Sequence, residues 1–101
     1  MDLEKLAQEL DFDIEDIEML LEVFIEGAKE NLETLKGALE ENDYVLMSET
    51  AHAIKGSAAN LLLDDIVKPA LQIELSAAKQ EKIDYKTNLD EIERHLNKLE
   101  D

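Results

Sequence analysis

The chain has 101 residues, 26 acidic against ten basic side chains and a formal charge of −16. It is read as one domain over residues 1–101 that repels nucleic-acid phosphates and anionic lipid headgroups. It has no cysteine, which excludes disulfides and thiolate metal sites and fits a reducing, cytoplasmic setting. The start, Met1-Asp2-Leu3-Glu4-Lys5, lacks the basic, then apolar pattern of a signal peptide, and no stretch approaches the roughly 20 apolar residues of a membrane span.

Three glycines and one proline leave little for β-turns, while Ala, Leu, Glu, Lys and Gln favour helix, so the fold class is all-α. Leu3, Leu6, Ala7 and Leu10 stand at helical spacing and predict a short amphipathic helix that must pack on something to persist. Asp13 reads as the N-cap of a long helix with an acidic first turn, whose stripe Ile17, Leu21, Phe24, Ala28, Leu32, Leu35 and Leu39 carries it to about Glu41. Asn42-Asp43 breaks it, and Met47, Ala51, Ile54, Ala58 and Leu61 form the seam of the next helix. Asp64-Asp65 reads as the following cap, with Ile66, Ala70, Ile73 and Ala77 as a third stripe through about Gln80. There Pro69 predicts either a start nearer Lys68 or a distorted first turn. After Asp84, Tyr85, Leu89, Ile92, Leu96 and Leu99 make the last stripe. Short connections between four such helices predict an antiparallel up-down-up-down four-helix bundle with a short N-terminal helix.

A bundle has no assigned chemistry of its own, so function rests on residues that depart from the bundle pattern. At about 100° per residue, His52 lies about 140° from the centre of its helix's seam and faces outward. Ser48, Gly56 and Ala59 share that face, with Lys55 on its flank. A glycine inside an exposed helix costs about 1 kcal/mol relative to alanine, so Gly56 needs a reason. Helical side chains lean toward the N-terminus, and a side chain at 56 would tilt over the turn that holds His52; having none leaves the imidazole open to a large partner. A neutral imidazole nitrogen can attack an activated phosphoryl group, and Lys55 can offer its ammonium to the phosphate oxygens. No phosphate loop, second base or metal cage surrounds His52, so no cofactor or metal is expected. The catalytic machinery is expected on the partner, which describes a carrier and not an enzyme.

The run Ala51-His52-Ala53-Ile54-Lys55-Gly56-Ser57-Ala58-Ala59-Asn60-Leu61 resembles the signature of histidine-containing phosphotransfer (HPt) domains of two-component phosphorelays, roughly A-H-x-L-K-G-S-S-A-N-L-G. Ala38-Leu39, Asp43, Ile73-Glu74 and Ala77 extend the resemblance over nearly the whole chain. It implies that His52 is the phosphoacceptor through Nε2, Lys55 the phosphate-side cation and Gly56 the clearance residue. Glu74 takes the place of a polar side chain that accepts from the imidazole Nδ1–H. The implied partners are a response-regulator receiver domain, a hybrid histidine kinase, or both, and a monomer is expected.

Two residues depart from the pattern. Leu62 stands where the family has a glycine ending the His-bearing helix, which predicts an altered turn or one displaced by a residue or two. Ala78 replaces a basic residue that some members carry near the phosphate, leaving Lys55 as the clearest cation. His95 lacks a comparable setting and reads as structural or solvated. A calcium loop from Asp11, Asp13, Glu15 and Glu22 is set aside because Asp16 occupies the position that needs glycine. Met19 and Val23 lie away from the seam, to be covered by the N-terminal helix or to form an apolar docking patch for a receiver. Two other functions remain to be discriminated: the phosphoacceptor domain of a chemotaxis-type histidine kinase, and a non-phosphorylated helical adaptor.

Overall fold

The computed structural model describes residues 2–100, all of whose regular structure is helical: α1 (Leu3–Leu10), α2 (Ile14–Glu40), α3 (Tyr44–Asn60), α4 (Asp64–Ala78) and α5 (Tyr85–Glu100). α2 packs on α3, α3 on α4, α4 on α5, and α5 closes the ring back on α2, which is an antiparallel four-helix bundle with α1 laid against α2. The molecule measures 41 × 19 × 18 Å, and its long dimension matches the ~40 Å expected of a 27-residue α2 at about 1.5 Å per residue.

The expected stripes form the core. Ile17, Leu35, Met47, Ile54, Ile66, Ile73, Ile92 and Leu96 are the largest side chains fully withdrawn from solvent. Leu6 and Ala7 bury the inner face of α1. That helix leaves Met19 (63% exposed) and Val23 (64%) uncovered. At the far end of the bundle Tyr85 packs by a tilted ring contact on Tyr44, its hydroxyl donating to the Glu81 carbonyl.

The caps differ in part from the sequence expectation. Asp43 caps α3 with its carboxylate, accepting from the Leu46 N–H at 3.1 Å, and Asp84 does the same for Thr87 at 3.2 Å. Asp13 precedes α2 but its side chain makes no capping bond. α4 corrects the expectation: its N-cap is Leu63, and Asp64 and Asp65 are already helical, placed where the positive end of the helix dipole favours them. Pro69 neither delays the start nor breaks the helix. It sits inside α4, whose first turn is intact: the Leu63 carbonyl accepts from the Ile66 N–H at 2.9 Å and from the Val67 N–H at 3.0 Å.

α1, α2, α3 and α4 stop in the same way. Asp11, Asn42, Leu62 and Gln80 adopt left-handed φ of 55–57°, and each following N–H reaches back five residues, as from Leu63 to the Ala58 carbonyl at 2.9 Å. This is the Schellman stop, usually built on glycine. The turn after α3 is therefore neither altered nor displaced by the missing glycine: Leu62 itself takes the left-handed conformation. The three glycines, Gly27, Gly37 and Gly56, instead lie inside helices.

Candidate functional site

His52 sits in the middle of α3, one turn from Ser48 and Gly56, with its side chain 66% exposed while Ala51 and Ile54 beside it are buried. The neighbouring helix α4 runs antiparallel and turns Glu74 toward it, because Ile73 on one side of Glu74 is held in the core and Leu75 on the other faces solvent. The Glu74 carboxylate joins two α3 side chains. Its Oε2 lies 2.7 Å from His52 Nδ1 and its Oε1 lies 2.7 Å from the Lys55 ammonium. Oε1 is buried and receives no hydrogen bond of regular geometry, so the nearby ammonium is what balances its charge.

These contacts hold the Glu74 carboxyl below the usual carboxylate range. Lys55 is the main cause, burial works against it, and the His52 bond adds to it. A charged Glu74 can only accept, so the ring nitrogen facing it carries the proton and Nε2 of a neutral imidazole is left as the lone-pair nitrogen. Ser48, one turn before His52, donates its hydroxyl to the Glu74 main-chain carbonyl at 3.0 Å, pinning α4 to α3 beside the carboxylate. This contact was not anticipated; Ser48's only advance signal was its place on the histidine's face.

At Gly56 an added Cβ would meet nothing within 4 Å, so no packing demand accounts for the glycine. Ala78, on the exposed side of α4, brings no charge near the site. His95 lies elsewhere, on α5, between Glu91 (3.3 Å from Nε2) and Asp65 (4.0 Å from Nδ1). Among the described residues no group of three His, Cys, Asp or Glu side chains could hold a metal ion.

The exposed imidazole thus has a carboxylate of the next helix behind it, 2.7 Å from Nδ1. The model of the Hpt domain family matches residues 19–101. The chain belongs to the Hpt family. It is a histidine phosphotransfer protein. Its structure is similar to the crystal structure of histidine-containing phosphotransfer protein B (HptB) from Pseudomonas aeruginosa. The TM-score is 0.80, with 24% identity over 96% of this chain and 82% of that one, a likeness of fold. No curated protein matches the chain in sequence. The family match begins inside α2, so α1 of this Hpt protein lies outside the matched region. No helix of the described residues is long and apolar enough to cross a membrane.

Proposed function

We propose that His52 accepts and donates the phosphoryl group through Nε2, in exchange with the phosphorylated aspartate of a receiver domain. The observation that carries this reading is the 2.7 Å contact from Nδ1 to Glu74 behind a side chain that is 66% exposed. It orients the ring, sets the tautomer and leaves the nucleophilic nitrogen outward. In the forward step the Nε2–P bond forms as the P–O bond to the aspartate breaks, and the aspartate leaves as a carboxylate on the partner; the reverse step restores it. Charge accumulating on the phosphoryl oxygens draws the Lys55 ammonium from its bond with Glu74, and Gly56 leaves room for the receiver to approach.

The protein on this reading is a carrier. Magnesium and the groups that activate the acyl phosphate belong to the receiver, and this chain contributes a nucleophile with its orienting carboxylate. The like charge of −16 on every copy opposes self-association, which supports a monomer. A reducing cytoplasm fits a chain without cysteine.

The test is to incubate the chain with a phosphorylated receiver and, separately, with a histidine kinase and ATP. Label reaching His52 from the receiver is the expected result. Label arriving only from the kinase would instead make the chain a chemotaxis-type phosphoacceptor domain, and no label from either would make it an adaptor. The His52→Gln variant should stay unlabelled and His95→Gln should label normally; labelling of the first would overturn the assignment.

A further inference from the structure

Among the described residues three polar contacts tie α3 to α4, and all three end on Glu74. Its carboxylate meets His52 and Lys55, and its main-chain carbonyl accepts the Ser48 hydroxyl at 3.0 Å. Ser48, His52 and Lys55 stand at positions i, i+4 and i+7 of α3 and so form one row along its flank. Serine is a poorer helix former than alanine, and inside a helix it ordinarily points to solvent or turns back on the carbonyl four residues earlier. Ser48 instead reaches across to α4, where a helical carbonyl has a second lone pair to offer.

The apolar seam leaves a freedom that this bond removes. The buried runs of the two helices, Ala51, Ile54 and Ala58 on α3 and Ala70, Ile73 and Ala77 on α4, share one spacing and are mostly alanine. Such shallow ridges fix which faces meet more firmly than how far one helix slides along the other. A slide of one turn is about 5.4 Å, against a contact of 2.7 Å between Glu74 and His52 Nδ1. The two carboxylate contacts also change as the phosphoryl group arrives. On the reading above, Lys55 turns to the phosphoryl oxygens, and the ring, keeping its Nδ1–H, becomes cationic. The buried Oε1 of Glu74 then loses its cation. The Ser48 bond touches no reacting atom and persists through the exchange.

Resting on the reading of His52 as phosphoacceptor, we propose that Ser48 is a positioning residue of the phosphoryl transfer. Its bond to the Glu74 carbonyl holds α4 at the register where the carboxylate keeps the Nδ1 proton and Nε2 points outward, including while Lys55 is drawn to the phosphate.

The test compares Ser48→Ala and Ser48→Thr in the full chain with two phosphodonors. One donor is the receiver domain that phosphorylates the unaltered chain fastest among a panel. The other is phosphoramidate, whose P–N bond breaks as the bond to Nε2 forms, releasing ammonia and needing no docking surface. In Ser48→Ala, labelling by both donors should fall by the same factor, about threefold or more, near the lower end of what one hydrogen bond is worth. The 15N shifts of the His52 ring should show the Nδ1–H tautomer less populated, a signature that a merely structural loss would leave alone. Ser48→Thr keeps the hydroxyl and should restore both readouts. In a Glu74→Ala background Ser48→Ala should change nothing further, because the group it positions is gone. A fall confined to the receiver would make Ser48 a docking contact. Unchanged ring shifts, or an undiminished effect in the Glu74→Ala background, would leave it a structural residue. Each of these results overturns the proposal. Labelling of His52→Gln by phosphoramidate would sink the underlying reading of the acceptor, while the ring shifts of the Ser48 variants still judge the positioning role.

Discussion

Two side chains share one carboxylate at the site. Glu74 meets His52 through one oxygen and Lys55 through the other, each at 2.7 Å, so the proposed nucleophile and the proposed phosphate-side cation are held by the same group. Removing the carboxylate with Glu74→Ala frees the ring to rotate and to exchange tautomers, and we expect receiver transfer to slow about tenfold, equivalent to ~1.4 kcal/mol in the barrier. Glu74→Gln keeps an oxygen acceptor and should recover part of that rate. Ring 15N shifts would separate the two, with the Nδ1–H tautomer lost in Ala and kept in Gln; a Glu74→Ala variant that transfers as fast as the unaltered chain would leave Glu74 no orienting role. Lys55→Ala should give slower transfer or a shorter-lived phosphohistidine with the fold intact, and should let the Glu74 carboxyl rise toward its ordinary 4.5. The sign of the acid response follows. A depressed carboxyl stabilises the fold in full above 4.5, and that contribution is lost as pH falls through the lower folded value. An acid titration should thus show the Lys55→Ala variant losing less stability below pH 4.5 than the unaltered chain.

Among the elements, one helix end and one helix-interior glycine each leave stability unused. Leu62 pays a left-handed backbone of φ 57° with a half-exposed side chain, while Leu63, the next residue, keeps the apolar contact of the stop. Leu62→Gly should raise stability by about 0.5–1 kcal/mol, read as a rise of a few degrees in thermal unfolding. A lower Tm would mean that the leucine packs more than its exposure suggests. Gly56→Ala should stabilise by up to about 1 kcal/mol for the complementary reason, its backbone being ordinary helix with open space beyond. The same residues explain what was legible in advance. Stripes such as Ile17, Leu21, Phe24 and Ala28 announced their helices because burial imposes the helical period on side-chain choice. The stop at Leu62 gave no such signal, since the chain's glycines are spent elsewhere and leucine has no preference for the left-handed region. Asp64 and Asp65 misled because an acidic pair suits an N-cap and a first turn equally well. At the site, the outward face of His52 followed from periodicity, but the approach of Glu74 across helices came only through the family signature, because intrahelical spacing carries no register between neighbours.

Across the whole molecule, 26 acidic side chains face ten basic ones, and contacts such as Lys29 to Glu100 at 2.7 Å and Lys36 to Glu93 at 3.0 Å are exposed pairs of small individual worth. Self-repulsion therefore acts against the compact state, and it is screened as the Debye length shrinks from about 30 Å at 0.01 M salt to about 8 Å at 0.15 M. Melting temperature should rise with sodium chloride over that range; a fall would show that the ion pairs outweigh the repulsion. The order of packing around the ring has a further consequence, for time instead of stability. Each helix lies against the one before it in the chain, and only the closure of α5 on α2 joins distant segments. Such a topology has low contact order: little loop entropy must be lost before native contacts begin to compensate, and bundles of this kind fold in roughly microseconds to milliseconds. Refolding after rapid dilution from denaturant should therefore be dominated by one fast phase, with the α2–α5 closure as its entropically expensive step and only the chains that enter with a cis bond before Pro69 following slowly.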